Sequence, residues 1–156
     1  MSDKINIYTD GSSIGNPGPG GYGVIMEWEG KQYIKEFSDG YRLTTNNRME
    51  LMAVIVALEK LKKQYMEVTI YSDSKYVIDS VQKKWVFNWE KKAFKDKKNP
   101  DLWKRYLNIH RKHKVNFQWV KGHSAHPQNE RCDQLAVKAA KETPYKIDDF
   151  FEQNKK

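Results

Sequence analysis

Residues 4 to 11, Lys4-Ile5-Asn6-Ile7-Tyr8-Thr9-Asp10-Gly11, alternate apolar and polar side chains and end at an Asp-Gly turn signal. This pattern predicts a β-strand, followed by a loop over residues 11 to 21 that is rich in glycine, proline and serine. Residues 22 to 28 and 31 to 41 have the composition of strands and flank Glu29-Gly30. The first forty residues therefore predict a meander of three antiparallel strands.

Helices and strands alternate in the rest of the chain. A helix is predicted from the spacing of Leu51, Val54, Ile55, Leu58 and Leu61, and it is apolar enough to be covered on most sides. Shorter apolar runs predict strands at residues 68 to 71 and 115 to 120, and helices are predicted over residues 74–80, 102–113 and 129–141. This order of elements predicts an α/β fold in which helices flank a mixed sheet.

The composition fits one folded domain. The chain has 156 residues, of which 38% are hydrophobic and 31% charged, and its longest apolar run, residues 51 to 58, is far shorter than the roughly 18 residues of a membrane span. The first residues lack the layout of a secretory signal. We expect a cytoplasmic protein without a membrane segment. Its one cysteine, Cys132, excludes an internal disulfide framework and a zinc site of several thiolates.

Positive charge is concentrated in one stretch. Residues 83 to 98 hold seven lysines against Glu90 and Asp96, which is +5 of the chain's net charge of +8. Trp85 and other aromatic residues are interleaved with the lysines. This composition is typical of a surface that binds a polyanion, although a solvated helical face with its tryptophans in the core would give the same pattern.

Four acidic residues have ordinary explanations when each is taken alone. Asp10 suits a turn, Asp73 a helix cap, Glu50 a capping box that begins at Asn47, and Asp133 the first turn of a helix. Glu50, however, begins the most apolar helix in the sequence, where an unpaired carboxylate would be costly to bury. We therefore expect a cationic partner for it.

The same four acids also predict a metal site. Asp10 and Asp73 each follow a predicted strand, where sites of α/β proteins collect, and Glu50 and Asp133 fall on the first turns of helices. Four clustered carboxylates would carry a charge that two divalent cations can neutralise. Oxygen ligands suit Mg²⁺ or Mn²⁺, and two such ions roughly 4 Å apart can catalyse phosphoryl displacement. The sequence thus favours a nuclease.

Several blocks of sequence carry a family resemblance, and they occur in order along the chain. They are Tyr8-Thr9-Asp10-Gly11-Ser12, the glycine-rich residues 15 to 23, Thr44-Thr45-Asn46-Asn47-Arg48-Met49-Glu50-Leu51, Ser72-Asp73-Ser74-Lys75-Tyr76-Val77, Trp119-Val120-Lys121-Gly122-His123 and Asn129-Glu130-Arg131-Cys132-Asp133. Together they resemble type 1 ribonuclease H from about residue 4 to residue 141. The fold implied is ribonuclease H-like, with a five-stranded mixed sheet of three antiparallel and then parallel strands.

The resemblance implies a metal-dependent endonuclease that hydrolyses the RNA strand of RNA–DNA hybrids without sequence specificity. It leaves 3′-hydroxyl and 5′-phosphate ends and uses two Mg²⁺ ions, for which Mn²⁺ can substitute. Asp10 would be shared by both ions, Asp133 would serve the ion that activates water, and Glu50 and Asp73 would serve the other. His123 would assist proton transfer or product departure.

The resemblance also implies how the hybrid is held. Asn16, Asn47 and Lys75 would contact the minor groove, where 2′-hydroxyls distinguish RNA from DNA, and Glu50 would bond one of these hydroxyls. A DNA-strand phosphate site would be formed by Thr45, Trp85 and Asn88. A basic protrusion over about residues 82 to 101 would grip phosphates through Lys91, Lys92, Lys95 and Lys97.

The resemblance implies a single domain over residues 1 to 156, with a core at about 4 to 141 and a tail at about 143 to 156, acting as a monomer. Two other functions stay open at this point. A binding module could keep the fold and the basic surface, and a related nuclease could act on DNA. The string G-x-G-x-x-G at residues 18 to 23 is not a dinucleotide site, because it leads into a strand and not a helix.

Overall fold

The computed structural model describes residues 4–30, 33–63, 65–122 and 126–154. Five strands form one sheet: β1 (Lys4–Ser13), β2 (Gly18–Trp28), β3 (Tyr33–Thr44), β4 (Glu67–Ser72) and β5 (Lys114–Trp119). Their order is β3-β2-β1-β4-β5. The first three strands pair antiparallel, while β4 pairs parallel with both β1 and β5. The predicted mixed sheet is confirmed.

Six helices accompany the sheet in the described ranges: α1 (Asn46–Glu59), α2 (Lys75–Gln82), α3 (Trp85–Lys91), α4 (Pro100–His110), α5 (Pro127–Lys141) and α6 (Asp149–Asn154). The sequence predicts α1, α2, α4 and α5 within a few residues. It does not predict α3, which starts after Lys84 in a left-handed conformation without a side-chain cap. Nor does it predict α6, which has no buried residue. Neither helix has the apolar periodicity that marks an amphipathic helix.

The two faces of the sheet are covered by different helices. Helix α1 packs against β1 and β2 and buries ten of its residues, as its apolar composition predicts. Helix α5 covers the opposite face, where Tyr8, Ile25 and Cys132 form a small cluster. A Cβ at Gly23 would collide with the backbone of α5, so this glycine permits the close approach of helix and strand.

The G-x-G-x-x-G string lies at the start of strand β2, so it leads into a strand and not a helix, as predicted. The predicted loop over residues 11 to 21 is wrong in its bounds, because β1 continues to Ser13 and pairs with β2 as far as Ser13 with Gly20. Within the described part of the chain, none of the helices is both long enough and apolar enough to cross a membrane, and α5, the longest of them, has 15 residues.

Candidate active site and nucleic-acid interface

The register of β1 and β4 explains why two of the acids meet. The last aligned pair of these parallel strands is Tyr8 with Tyr71. Asp10 and Asp73 each come two residues later, so the alternation of side chains places both on the same face at the same level. Strand β1 does not stop at Asp10 as predicted, because it continues to Ser13 in its pairing with β2. Only its pairing with β4 ends there.

Helix α1 brings the third acid to this point. A Cβ at Gly11 would collide with the backbone nitrogen of Glu50, so the absence of a side chain at Gly11 lets the start of α1 approach β1 directly. The Gly11 backbone also hydrogen-bonds the Glu50 carboxyl. The Thr45 side chain caps the helix by accepting a hydrogen bond from Arg48 N at 3.2 Å.

These acids form one compact cluster. Asp10, Glu50 and Asp73 each offer a carboxylate oxygen, and the three oxygens lie within 4.8 Å of one another. Asp133, from helix α5, interacts with Asp10 through a side-chain hydrogen bond and through its charge. Asp10 and Glu50 are buried, while Asp73 and Asp133 are half-buried. The cluster therefore opens toward solvent on the Asp73 and Asp133 side.

The acidic residues raise one another's affinity for protons. Burial and, after it, the charge of Asp73 raise the pKa of Asp10 to about 8, although a hydrogen bond from Glu50 opposes the rise. Burial and the charges of Asp10 and Asp73 hold the pKa of Glu50 well above its usual range. The pocket therefore has more negative charge than its protein surroundings compensate, which is the condition that a divalent cation relieves.

The residues present fit a metal site. One buried oxygen of Glu50, Oε1, has no hydrogen-bond partner among the described residues. The charged side chains that act on Glu50 among the described residues are Asp10 and Asp73, so neither of them is the cationic partner expected for it. A set of carboxylate oxygens suits a hard cation such as Mg²⁺ or Mn²⁺.

The described residues that are predicted to bind nucleic acid outside the acidic cluster lie in three separate regions of the surface. Asn16, Thr45, Asn47 and Lys97 line one common cleft. Asn16 is tied to the start of α1, because its Oδ1 accepts a hydrogen bond from the backbone N of Asn46 at 3.1 Å.

Lys75 lies in the second of these regions, beside the acidic cluster. Its Nζ stands 4.2 Å from the centre of the Trp119 ring, and Trp119 Nε1 donates to the backbone oxygen of Asp73 at 3.4 Å. Gly122 lies against Asp73 on the same side, because a Cβ there would be 2.9 Å from Asp73 Oδ2. The residue that follows it, His123, lies outside the described residues.

Helix α3 and the turn after it form the third place. Trp85 is 43% exposed and Asn88 is also exposed on this helix, and neither is among the residues that line the cleft with Thr45. Lys91, Lys92 and Lys95 are exposed nearby. The alternative that Trp85, Trp89 and Trp103 belong to the core holds for Trp103, which is fully buried, and in part for Trp89, which is partly buried against the core. It does not hold for Trp85, which is exposed.

The sequence does not predict a buried ionic cluster behind the acids. Arg48 is 1% exposed and donates two hydrogen bonds to Asp148, at 2.7 and 2.8 Å, and two to Asp101, at 2.9 and 2.7 Å. Thr44 Oγ1 also donates to Asp148 at 2.7 Å. The only feature of the sequence that points to these ion pairs is the presence of a charged residue, Arg48, in the apolar helix α1. Its partners lie 53 and 100 residues away, so spacing could not identify them.

The family is decided by comparison with known proteins. The RNase H family model matches residues 2–141 of the chain. The chain belongs to the RNase H family. The ribonuclease H of Desulforamulus reducens is 52% identical over 150 residues, which cover 93% of this chain and 92% of that protein. The ribonuclease H of Shewanella denitrificans is 48% identical and covers 97% of this chain and 96% of its own length.

Solved structures of RNase H proteins have the same fold. LC9-RNase H1, described as a type 1 RNase H with the type 2 active-site motif, superposes with a TM-score of 0.81 at 34% identity, covering 90% of this chain and 73% of that one. LC11-RNase H1, solved in complex with an RNA/DNA hybrid, has a TM-score of 0.64 at 30% identity, covering 87% and 96%. The resemblance to type 1 ribonuclease H is confirmed, and so is the assignment of this RNase H family member as an endoribonuclease.

Proposed function

We propose that the chain cuts the RNA strand of RNA–DNA hybrids internally, leaving 3′-hydroxyl and 5′-phosphate ends, at the cluster of Asp10, Glu50, Asp73 and Asp133. The observation that carries this proposal is the convergence of three carboxylate oxygens within 4.8 Å. The structure of a relative with a bound hybrid supports the substrate class.

We further propose that the four acids hold two Mg²⁺ ions, or Mn²⁺ in their place. Bound there, such ions supply Lewis-acid polarisation of the phosphate and a lower pKa for the attacking water. The role of Asp10 as the shared ligand is supported by its interactions with Glu50, Asp73 and Asp133 together. Asp133 would bind the ion that activates the attacking water. Glu50 and Asp73 would bind the ion that stabilises the leaving oxygen. His123 would move a proton or help the product leave.

The residues outside the acidic cluster would recognise the hybrid by its shape. The amides of Asn16 and Asn47 and the ammonium group of Lys75 would contact the minor groove. The carboxylate of Glu50 would accept a hydrogen bond from a 2′-hydroxyl there. Thr45, Trp85 and Asn88 would hold a phosphate of the DNA strand. Exposed lysines on α3 and after it would add contacts that depend on phosphate alone, so binding would not depend on base sequence.

A comparison of substrates tests this function. The protein is incubated with an RNA–DNA hybrid, single-stranded RNA, double-stranded RNA or double-stranded DNA of one sequence, each with Mg²⁺ and with EDTA. We expect cleavage of the hybrid alone, and only with metal. Cleavage of the double-stranded DNA would support the DNA-acting relative, and salt-dependent binding of the hybrid without cleavage in Mg²⁺ or Mn²⁺ would support the binding module.

The lysine contacts give a separate prediction. Replacing Lys91, Lys92, Lys95 and Lys97 by alanine should weaken hybrid binding. Because each phosphate contact releases counterions, the slope of log K against log salt should flatten by about 1 for each lysine that touches phosphate, up to about 4. Titrations of labelled hybrid at several salt concentrations measure this slope.

A variant of equal charge provides the control for the lysine variant. It carries four alanines in place of exposed lysines of β3, β5 and α5, namely Lys35, Lys114, Lys138 and Lys141. We expect its salt slope to stay near that of the unmodified protein. Equal slopes for the two variants would mean that net charge, and not the basic protrusion, governs binding.

We infer one ribonuclease H domain that acts as a monomer in the cytoplasm. Light scattering of the purified protein, alone and with hybrid, tests the monomeric state. A mass of twice 18.4 kDa for the protein alone would contradict it.

A further inference from the structure

Strands β1 and β4 carry a pair of stacked aromatic rings next to two of the acids. Tyr8 and Tyr71 are the last aligned pair of these strands, and their ring centres lie 4.7 Å apart with 16° between the ring planes. Asp10 and Asp73 come two residues later on the same two strands, so they lie on the same face of the sheet as the rings. The position of these rings is therefore coupled to the position of the two acids.

A third ring joins this pair from helix α5. The centre of the His126 ring lies 5.7 Å from that of Tyr8 and 6.3 Å from that of Tyr71, within the usual range for aromatic pairs. His126 is also the N-cap of α5, because its Nδ1 accepts a hydrogen bond from the backbone N of Asn129 at 3.3 Å. One side chain thus contacts both strands and the helix that carries Asp133.

Contacts within the protein hold this aromatic cluster of Tyr8, Tyr71 and His126 in place. Tyr8 is 7% exposed, and its hydroxyl donates to Glu27 Oε1 at 3.2 Å. Burial and the charge of Glu27 raise the pKa of Tyr8, so the hydroxyl keeps the proton that it donates. Cys132 Sγ, beside Asp133 in α5, donates to the backbone oxygen of Tyr8 at 3.2 Å. Helix α5 is therefore attached to Tyr8 at two points.

The attachment of α5 determines where Asp133 lies. Asp133 follows His126 by about two helical turns, so both residues are on the same side of α5. The three carboxylate oxygens within 4.8 Å of one another come from Asp10, Glu50 and Asp73, and Asp133 reaches this group through its hydrogen bond with Asp10. A shift of the start of α5 over the sheet would therefore move Asp133 relative to the other acids.

We propose that His126 is a positioning residue of the metal site. Its ring packs against Tyr8 and Tyr71 and so sets the distance between Asp133 and Asp10, and with it the affinity for the divalent ion that Asp133 binds. This inference rests on the proposed function. It adds to that function a residue that touches neither the substrate nor the ion.

Two substitutions separate the ring of His126 from its capping group. His126→Asn keeps a good N-cap and removes the ring, whereas His126→Phe keeps a ring and removes the cap. Titration of Mg²⁺ into the protein without hybrid, followed by calorimetry, measures the affinity. We expect His126→Asn to weaken Mg²⁺ binding about tenfold, the lower end of the loss for groups outside the ligand shell, and His126→Phe to leave it unchanged.

Substitutions of the strand residue test the same contact from its other side. Tyr71→Leu should weaken Mg²⁺ binding as His126→Asn does, and Tyr71→Phe should restore it, because the ring is kept. Tyr33→Leu is the matched control, since it removes an exposed ring that packs edge-on against Trp28. It should leave Mg²⁺ affinity unchanged.

The Mg²⁺ dependence of single-turnover cleavage gives a second readout. The His126→Asn and Tyr71→Leu variants should need more Mg²⁺ for half-maximal rate, yet approach the rate of the unmodified protein at saturating Mg²⁺, because all four acids are intact. Leu107→Val provides a control for stability. It removes buried volume from α4, which carries none of the four acids, so it should lower the free energy of unfolding without changing the Mg²⁺ requirement.

Three outcomes would overturn the proposal. Equal Mg²⁺ affinities of His126→Asn, Tyr71→Leu and the unmodified protein would show that the rings do not position Asp133. Weaker binding by His126→Phe than by His126→Asn would assign the effect to the cap. A Mg²⁺ requirement that rises with every loss of stability, Leu107→Val included, would show a general structural effect. Failure of the unmodified protein to bind Mg²⁺ and to cut hybrid would instead refute the proposed function itself.

Discussion

Asp10→Asn should abolish cleavage of the hybrid while the protein keeps its fold. Asparagine has nearly the volume of aspartate but cannot act as the shared anionic ligand. Loss of an outer-shell partner of a metal site costs about 10- to 100-fold in activity or affinity, so loss of the ligand itself should exceed about a hundredfold. Single-turnover cleavage in Mg²⁺ measures the effect. A rate within threefold of the unmodified protein would contradict the assignment of the site.

The same substitution should stabilise the protein in the absence of metal. The pKa of Asp10 rises from about 3.9 in the unfolded chain to about 8 in the fold, so ionisation disfavours the folded state as the pH rises between these values. At pH 7, Asp10→Asn should therefore raise the free energy of unfolding by about 1 to 4 kcal/mol. Below about pH 4 the carboxyl is protonated in both states, and the difference should disappear.

Bound metal should reverse the order of stability of the unmodified protein and Asp10→Asn. Mg²⁺ bound to the folded state stabilises it, so adding the ion should raise the melting temperature of the unmodified protein much more than that of Asp10→Asn. Urea unfolding at pH 7 and pH 4, and thermal unfolding with and without Mg²⁺, measure the two effects. A variant that is less stable than the unmodified protein at pH 7 without metal would show that burial and the charge of Asp73 do not raise the pKa of Asp10 in the fold.

Arg48→Met should have the largest effect on stability. The substitution leaves Asp148 buried and without its cation, and breaking a buried ion pair from one side costs about 3 to 5 kcal/mol. Burial alone would lower the pKa of Arg48, but its hydrogen bonds with Asp101 and Asp148 outweigh burial and raise it, so the arginine stays charged. Urea unfolding measures the loss.

Two further variants isolate the cause of this loss. Arg48→Met combined with Asp148→Asn should be more stable than Arg48→Met alone, because it removes the uncompensated charge. Arg111→Ala breaks a two-pronged pair with Glu90 on the surface, where both side chains are about half exposed, and should cost less than about 1 kcal/mol. Similar losses for Arg48→Met and Arg111→Ala would show that burial does not govern the strength of these pairs.

Local patterns were sufficient to predict most of the fold. The alternation in residues 4 to 11 identified β1, and the apolar composition of residues 51 to 58 identified the buried part of α1. The acidic cluster could also be predicted, because two strands that run parallel in one sheet bring Asp10 and Asp73 to the same edge. The cationic partner expected for Glu50 is not the nearby Arg48, which forms its ion pairs with Asp101 and Asp148.

The parts that sequence reasoning missed depend on contacts between distant residues. Helix α6 has six residues and no buried side chain, and ion pairs to Arg42 and Arg48 hold it in place. No local period in the tail signals such an arrangement. The residues of α6 in the wall of the cleft that Asn16 and Thr45 line follow from that same packing.

Hydrolysis by the acidic cluster should be confined to the RNA strand of a hybrid. One reaction tests it directly: a hybrid that carries different labels on its RNA and DNA strands is incubated with the protein in Mg²⁺, and both strands are sized and their new ends determined. We predict internal cuts in the RNA strand alone, with 3′-hydroxyl and 5′-phosphate ends. Intact RNA, or cuts in the DNA strand, would contradict hydrolysis of the RNA strand at the acidic cluster.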